Sequence, residues 1–387
     1  MTDPGSPARS KRPRPLMLDV HVPAESRSYP VLIGRGAIGR IGAELQQRLG
    51  RSGAAVALVT DTTVAPLLGA MVQANLEAQG FTVVPIVIPA GEAHKTTGTL
   101  LEVLGAMIVS GMGRRDAVVA LGGGVVGDLS GLAAAMFMRG VPLVQCPTTL
   151  LAQVDASVGG KVAVDVPAGK NLVGAFHFPI CVLIDPEVLT TLADREIGQG
   201  LAEMLKHALL FSPDHFAALL GAAEAFYARD FDVITPLVAT SVGLKAACVG
   251  RDPWETGEAG KGRVLLNLGH TVGHAIESAS AYTVPHGEAV ALGLRAAARI
   301  SEQKGVAEPG LEQLVVDALT RLRLPTDLDA WLTGDRGAAV ERALVADKKR
   351  SGGAISYVTL VRVGEPSVLS LPLRGLFGLL RPRTATV

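Results

Sequence analysis

Short apolar runs rich in β-branched residues alternate with helical stretches between Tyr29 and about Asp185. The runs read AAVALVTD at 54–61, FTVVPIVIP at 81–89, DAVVAL at 116–121 and VPLVQCPT at 141–148. Runs without a polar alternation are typical of strands covered on both faces, and strands that alternate with helices form parallel sheets. The pattern therefore predicts an α/β domain built on a parallel sheet.

After residue 192 the pattern changes to long stretches rich in Ala, Leu and Glu. These helical stretches cover 196–211, 231–250, 264–281, 286–304 and 309–322, and a β-like pair follows around 355–363. The first residues are rich in Pro, Ser and Arg and include RSKRPR at 9–14, which is typical of a disordered tail. We therefore predict a disordered tail at 1–28, an α/β domain at 29–192 and a mainly helical domain at 193–387.

Composition narrows the class of partner. Lys plus Arg and Asp plus Glu each number 36, so no net field favours nucleic acid or an acidic membrane, and a small-molecule partner is expected. The three cysteines, Cys146, Cys181 and Cys248, lack CxxC spacing and suit buried thiols in a reducing compartment. No apolar run is expected to reach the roughly 20 residues of a spanning helix. These features predict a soluble, cytoplasmic protein.

A glycine-rich segment follows one predicted strand and opens a predicted helix. In ALGGGVVGDLSG (120–131), Gly122, Gly124 and Gly127 satisfy GxGxxG. Such a turn lets a pyrophosphate approach the backbone at a helix N-terminus, although a tight turn without a ligand has the same spacing. The acidic residue that usually follows about 20 positions later is missing, but Asp61 ends an earlier strand and could accept from ribose hydroxyls.

Residues 147–179 carry polar side chains among glycines and small apolar residues, unlike an ordinary solvated loop. The polar members are Thr148, Thr149, Asp155, Lys161, Lys170 and Asn171. Two lysines in a glycine-rich frame suit a ligand that bears phosphate or carboxylate, because each ammonium can meet an oxyanion. Surface lysines on a long loop are the alternative interpretation.

One carboxylate and three histidines occur in helical segments that are otherwise mostly apolar. GLAEMLKHALL (200–210) contains Glu203, GHTVGH (269–274) contains His270 and His274, and His286 begins the helix of HGEAVALG. Catalytic zinc takes three protein ligands and keeps one position open. The four-residue spacing of the first two histidines resembles HExxH, but Thr271 stands where that motif has glutamate. The residues alone leave open which histidines would bind a metal.

Six motifs, in this order and spacing, resemble the 3-dehydroquinate synthase family of the shikimate pathway. They are GGGVVGDLSG, RGVPLVQCPTTLLAQVDASVGGKVAVD, GKNLVGAFH, GLAEMLKH, LNLGHTVGHAIE and HGEAVALG, within a resemblance that covers about residues 30–365. The resemblance implies a Rossmann-like α/β domain followed by a helical domain. It also implies that NAD and one divalent metal, zinc or cobalt, bind in the cleft between them.

Carried over position by position, the resemblance implies roles for individual residues. The implied metal ligands are Glu203, His270 and His286. The implied NAD contacts are Asp61, Glu92, Lys95, Gly123, Gly124, Asp128, Thr148, Thr149 and Lys170. The implied substrate contacts are Asp155, Lys161, Asn171, Lys206, Lys245, Arg263, Asn267, His274, one lysine of Lys348 and Lys349, and Arg139 from the partner of a homodimer. Lys161, Lys206, Glu255 and His274 are the implied catalytic residues.

One segment departs from the family pattern. DPWETGEAGKGRVLLN (252–267) is a few residues longer and richer in glycine than the family's acidic turn. Keeping DPWETG aligned makes Glu255 the catalytic glutamate, whereas shifting the alignment would give that role to Glu258.

The family converts 3-deoxy-D-arabino-heptulosonate 7-phosphate into 3-dehydroquinate and phosphate, with NAD reduced and reoxidised in each turnover. The resemblance therefore predicts a phosphate-eliminating carbon–oxygen lyase. A near alternative is another sugar phosphate cyclase, such as a 2-deoxy-scyllo-inosose or 2-epi-5-epi-valiolone synthase. A metal-dependent glycerol or alcohol dehydrogenase and a non-catalytic nucleotide sensor are more distant alternatives.

Overall fold

A seven-stranded sheet forms the centre of the first half of the chain, in a computed structural model that describes residues 16–22, 27–256, 261–346 and 354–381. Its strands lie in the order β1-β2-β9-β6-β5-β3-β4, and β1 is antiparallel to β2 while the other neighbours are parallel. The strands are β1 (Leu16–Val22), β2 (Arg27–Ile33), β3 (Ala55–Asp61), β4 (Thr82–Ile88), β5 (Ala117–Gly122), β6 (Leu143–Pro147) and β9 (Cys181–Ile184). The predicted parallel sheet is confirmed.

The predicted disordered tail is wrong for residues 16–22. These residues form β1, which pairs with β2 from Leu16 opposite Ile33 to Val22 opposite Arg27. The apolar residues of LMLDVHV follow the Pro- and Arg-rich start, and backbone pairing with β2 gives them an ordered place at the edge of the sheet. Residues 1–15 lie outside the described residues.

An antiparallel hairpin interrupts the α/β pattern before the last strand of the sheet. It consists of β7 (Lys161–Val166) and β8 (Gly169–Phe176), within the polar run that the sequence left without an assigned structure. Val162 and Val164 are buried against one side of the main sheet, whereas the middle of β8 is exposed. The hairpin thus carries polar residues at its surface and stays anchored through β7.

The helices of the first half flank the sheet, and those of the second half pack on one another. The first group is α1 (Ile41–Leu49), α2 (Ala70–Glu77), α3 (Thr97–Val109) and α4 (Gly124–Met136). The second group is α5 (Asp194–Phe211), α6 (Pro213–Gly221), α7 (Ala223–Ala228), α8 (Phe231–Arg251), α9 (His270–Ala279), α10 (His286–Gln303), α11 (Leu311–Arg321), α12 (Gly334–Ala346) and α13 (Leu373–Leu380). A hairpin of β10 (Ala354–Arg362) and β11 (Glu365–Pro372) precedes α13.

Helix α8 is long and apolar enough to span a membrane by length and composition, so the expectation of no such run is wrong. Its residues Ile234, Val238 and Val242 are nevertheless fully buried within the core of the protein. Lys245 on the same helix is buried and forms an ion pair with Asp155. These contacts identify α8 as a core helix that presents one charged side chain to a polar site.

The two halves share one hydrophobic core beside the sheet. Val31 of β2, Leu150 and Val154 belong to the same buried cluster as residues of α5, α9 and α10. Gly200 of α5 lies so close to Leu150 that an added Cβ would stand 2.4 Å from its side chain. This packing brings the segment after β6 against α5. The domain boundary between residues 192 and 193 stays a prediction.

Candidate active site

The glycine-rich turn follows β5, at the point where successive strands stop adding to one side of the sheet and begin to add to the other. From β3 the chain proceeds to the edge strand β4, and from β5 it proceeds to β6 on the other side. Ligands of open α/β sheets bind at such a switch point, beyond the carboxyl ends of the strands. Asp61 ends β3, and Gly122 ends β5 immediately before α4. The predicted strand–turn–helix arrangement is confirmed.

The glycines of this turn have two different physical roles. An added Cβ on Gly127 would stand 2.9 Å from the Gln145 side chain, and one on Gly131 would stand 2.3 Å from Val162. These two glycines therefore let α4 pack closely on the strands. Gly123 and Gly124 have looser surroundings, with the nearest atoms of Thr149 at 3.1 Å and Ala156 at 3.6 Å. The open backbone at the start of α4 fits a pyrophosphate.

Several predicted NAD contacts surround this turn. Lys95 is buried, and its Nζ lies 2.6 Å from Asp128 Oδ2 and 2.6 Å from Asn171 Oδ1. Asp61 Oδ1 accepts the backbone N–H groups of Thr63 and Val64. Thr148 and Thr149 directly follow β6, beside the turn. The structure thus brings most of these residues to one edge of the sheet, and their contacts with NAD stay a prediction.

Glu203, His270 and His286 form a cluster in which one ligand atom from each lies within 4.8 Å of the others. The Glu203 carboxylate is fully buried, and its Oε1 lies 3.4 Å from His286 Nε2 and 3.7 Å from His270 Nε2. Glu203 Oε2 contacts the Lys206 ammonium, yet neither carboxylate oxygen accepts a well-oriented hydrogen bond from the described residues. Carboxylate and imidazole groups in this arrangement fit a divalent cation such as zinc.

The electrostatics of the two imidazoles differ. Burial, with Lys206 nearby, lowers the pKa of His270 to about 3, which keeps this ring neutral as a metal ligand must be. Burial opposes protonation of His286 as well, but the carboxylates of Glu203 and Glu277 on either side raise its pKa to about 10. The carboxylates therefore surround this position with negative charge, which favours a cation.

Two other groups of three also have ligand atoms within 4.8 Å of one another. In the group of Asp155, Glu203 and His207, the ammonium groups of Lys206 and Lys245 already lie on the carboxylates, which disfavours a further cation. The group of His274, Glu277 and His286 uses the other ring nitrogen of His286, and Glu277 there pairs with Lys170. The group of Glu203, His270 and His286 is therefore the best candidate metal centre.

Close packing between α9 and α10 positions His270. Gly269, which precedes this histidine, has a φ of 79°, a conformation that favours glycine. An added Cβ on Gly293 of α10 would stand 1.9 Å from the Gly269 carbonyl oxygen. One on Gly273 would stand 3.1 Å from the Ala289 carbonyl oxygen. The glycines of GHTVGH and HGEAVALG thus bring the two histidine-bearing helices into backbone contact.

A cluster of charged residues lies between the glycine-rich turn and the candidate metal centre. Lys245 Nζ lies 2.8 Å from Asp155 Oδ1, Lys206 Nζ lies 3.7 Å from the same oxygen, and His207 Nε2 lies 3.4 Å away. Burial raises the pKa of Asp155, but the ammonium groups of Lys245 and Lys206 hold it well below its ordinary value. Both lysines are therefore paired in the folded protein.

Lys161 and Glu255 form an ion pair between β7 and the segment after α8. Glu255 has a φ of 55°, and Asp252 fixes its turn by accepting the backbone N–H groups of Thr256 and Arg263. Arg263 is buried, with Nη1 donating to the carbonyl oxygens of Gly159 and Pro253 at 2.8 Å each. Two of the predicted catalytic residues, Lys161 and Glu255, are thus in contact, and Arg263 holds the backbone around them.

Other predicted site residues are less constrained by the structure. Arg139 is exposed in the turn after α4, and no contact in the described ranges joins it to the other site residues. Asn267 is exposed just before α9. Lys348 and Lys349 lie outside the described residues, as does Glu258. The roles of all five residues stay predictions.

The sequence interpretation missed Glu277 and His207. Glu277 follows His270 by seven residues and His274 by three, a spacing that places all three on one helical face. This spacing within GHTVGHAIE was the available signal. His207 follows Lys206, and its contact with Asp155 depends on tertiary packing that local spacing does not indicate.

Comparison with known proteins agrees with this geometry. Residues 85–199 match the family described as 3-dehydroquinate synthase N-terminal, and residues 200–350 match the one described as 3-dehydroquinate synthase C-terminal. The solved structure of 2-epi-5-epi-valiolone synthase from Streptomyces hygroscopicus subsp. jinggangensis 5008, with NAD+ and Zn2+ bound, is similar at a TM-score of 0.81 and 28% identity. That similarity covers 92% of this chain and 96% of the other.

Curated relatives are similar over almost their whole length. The 3-dehydroquinate synthase of Symbiobacterium thermophilum is 44% identical over 338 residues, which cover 87% of this chain and 92% of that relative. The 3-dehydroquinate synthase of Methylococcus capsulatus is 43% identical over 366 residues, with 94% and 98% covered. The chain belongs to the 3-dehydroquinate synthase family.

Proposed function

We propose that this protein converts 3-deoxy-D-arabino-heptulosonate 7-phosphate into 3-dehydroquinate and phosphate, with NAD and a divalent metal ion as cofactors. The observation that carries the proposal is the cluster of buried Glu203 with partly buried His270 and His286. Beside it, the ammonium groups of Lys206 and Lys245 pair with the Asp155 carboxylate. Identity above 40% to curated synthases over most of the chain supports the same reaction.

The residues present fit both cofactors. Glu203, His270 and His286 would hold zinc or cobalt, and Gly123 and Gly124 would receive the NAD pyrophosphate at the start of α4. The nucleotide site would be completed by Asp61, Glu92, Lys95, Asp128, Thr148, Thr149 and Lys170. When bound, the two cofactors supply reversible hydride transfer and polarisation of a substrate oxygen.

The chain's own side chains then bind the substrate and move protons. Lys206, Lys245 and Arg263 would meet its carboxylate and hydroxyl groups as cationic donors, and Asn171 with Lys161 would hold the phosphate. Asp155 aligns Lys206 and Lys245 by pairing with both. His274 and Glu255 would transfer protons, since both are accessible side chains at the edge of the site.

A homodimer is the assembly we propose, with Arg139 of one subunit serving the site of the other. Arg139 has a φ of 69° and Met138 a φ of 50°, so this turn holds two non-glycine residues in the left-handed region. Met136 and Met138 are exposed apolar side chains next to it. Such strain at an exposed apolar turn suits a contact surface. Three free buried cysteines suit a cytoplasmic location.

The other sugar phosphate cyclases are the nearest alternative, because they share the fold, NAD and metal. They differ in substrate, since a hexose or heptulose phosphate of this kind lacks the carboxylate that Lys206, Lys245 and Arg263 would meet. A dehydrogenase would have little use for these cationic groups around its substrate.

The test is a comparison of substrates with the purified protein, NAD and Zn2+ or Co2+. We expect phosphate release and a 3-dehydroquinate product, identified by NMR, from the heptulosonate phosphate, and no turnover of glucose 6-phosphate. Turnover of the hexose phosphate in place of the heptulosonate would contradict the proposed substrate.

A further inference from the structure

Glu277 is a buried carboxylate that lies between the candidate metal centre and the β7–β8 hairpin. Its side chain is only 4% exposed, and it lies on α9. Its Oε2 lies 3.2 Å from His286 Nδ1, and its Oε1 lies 3.4 Å from Lys170 Nζ. A buried carboxylate needs a compensating partner for each of its oxygens. Here each oxygen has a partner with a different function.

The contact with His286 determines which ring nitrogen faces Glu203. The Nδ1–H of His286 donates to Glu277, so Nε2 is left as the nitrogen that points to Glu203 Oε1, at 3.4 Å. His270 has an equivalent contact, because its Nδ1 lies 3.1 Å from the Leu268 carbonyl oxygen. Partners of this kind fix the tautomer and the ring orientation of a metal-binding histidine.

We propose that Glu277 is a positioning residue: its carboxylate orients His286 toward the metal and joins this ligand to Lys170. The proposal rests on the proposed function, since it assumes the metal ligands named there. A carboxylate partner, unlike the backbone carbonyl beside His270, also increases the basicity of the imidazole, which strengthens metal binding.

Lys170 extends the link to the first half of the chain. Its Nζ lies 3.3 Å from Glu92 Oε1 as well as near Glu277, and it lies 4.7 Å from the centre of the Tyr282 ring. Tyr282 and the preceding Ala281 both have positive φ, at 61° and 51°, just after α9. The link therefore runs from His286 through Glu277 and Lys170 to Glu92, which follows β4 near the nucleotide turn.

The alternative is that Glu277 itself binds the metal, with His274 and His286. In that case His286 would use Nδ1, and Glu203 would stay buried with neither oxygen accepting a well-oriented hydrogen bond. The ammonium of Lys170 would also stand next to the cation. Because Glu203 would then be fully buried with the Lys206 ammonium as its counter-charge and no metal ion, the arrangement with Glu203 as ligand is favoured.

Metal affinity in the absence of substrate tests the proposal. Glu277→Gln, Glu277→Ala and wild type, each freed of metal, would be titrated with Co2+ while the d–d absorption is recorded, and Zn2+ affinity would be measured by competition with a chelator. The matched control is Glu288→Gln, which removes a carboxylate from the first turn of α10 where it pairs with Arg195, not with a histidine. Far-UV circular dichroism would verify that each protein is folded.

We expect Glu277→Ala to weaken Co2+ and Zn2+ binding by about 10–100-fold, the usual effect of losing such a partner. Glu277→Gln should weaken metal binding less, since its amide oxygen can still accept a hydrogen bond from His286 Nδ1. At saturating Co2+ both variants should keep the wild-type band shape, and the control should bind like wild type.

Unchanged affinity in both variants overturns the proposal, as does an altered coordination spectrum at saturation, which would make Glu277 a ligand. A wild-type chain that takes up no metal overturns the proposed metal centre as well.

Discussion

His270 and His274 stand four residues apart on α9, but the structure gives them different surroundings. His270 faces Glu203, with its Nδ1 against the Leu268 carbonyl oxygen, whereas His274 is exposed one helical turn further on. The ring centres of the two histidines lie 5.3 Å apart. The contact of His270 with Glu203 and the exposure of His274 suit one ligand and one neighbouring group that exchanges protons with the substrate.

We therefore expect His270→Ala to lose metal and activity together and His274→Ala to keep metal while losing most activity. The loss of metal affinity in His270→Ala should exceed about 100-fold, because a direct ligand is removed rather than an outer partner. Metal content after dialysis and steady-state kinetics would be measured on both variants. Equal depletion of metal in the two would show that the histidines bind the metal jointly.

Glu255 is held in a conformation that few non-glycine residues adopt. Its positive φ and its ion pair with Lys161 place a carboxylate at the entrance of the site, and strained residues of this kind cluster at functional sites. We expect Glu255→Gln to lower kcat by at least about 100-fold, as for a positioned acid or base. Glu258→Gln, measured in parallel, should remain near wild type. The reverse result would give the catalytic role to Glu258.

At the scale of elements, the backbone contact between α9 and α10 determines where His270 lies. A methyl group on Gly293 would meet the Gly269 carbonyl oxygen, and backbone on both sides has little room to move. Gly293→Ala should therefore lower the free energy of unfolding by about 1–3 kcal/mol, as overpacked sites do, and should weaken metal binding. Urea denaturation and Co2+ titration would measure the two effects.

The matched control is Gly243→Ala on α8, where an added Cβ meets nothing within 4 Å. That substitution should leave metal affinity unchanged and should not destabilise the protein, because alanine is the better helix former. If Gly293→Ala behaves like this control, the close contact between the helices does not position the ligand.

The elements also show what local sequence can predict. The apolar strands β3, β4, β5 and β6 and the helices α5, α8 and α10 have strong patterns, and each was predicted within a few residues of its bounds. The hairpin of β7 and β8 was missed because the middle of β8 is exposed and half of its residues are glycine, Lys170 or Asn171. β8 is held by pairing with β7, whose valines pack on the main sheet. This tertiary contact cannot be recognised from the local sequence pattern.

At the scale of the whole molecule, the shared core determines the geometry of the site. Asp155 follows β6, while Lys206 and Lys245 come from α5 and α8, and packing of Val154 among the second-half helices brings them together. The resemblance to a family identified these three residues, but their pairing required the fold. The contact of Glu277 with both His286 and Lys170 likewise depends on three segments meeting.

We propose that one site of the molecule uses NAD and a metal ion to eliminate phosphate without net oxidation of the substrate. The most direct measurement is the ratio of phosphate released to NADH formed when the metal-loaded protein receives the heptulosonate phosphate and a small amount of NAD. We expect phosphate to exceed the NAD supplied many times over and no NADH to accumulate, because each reduced cofactor is reoxidised before product leaves. Accumulation of one NADH for each substrate consumed, without phosphate release, would contradict it and identify a dehydrogenase.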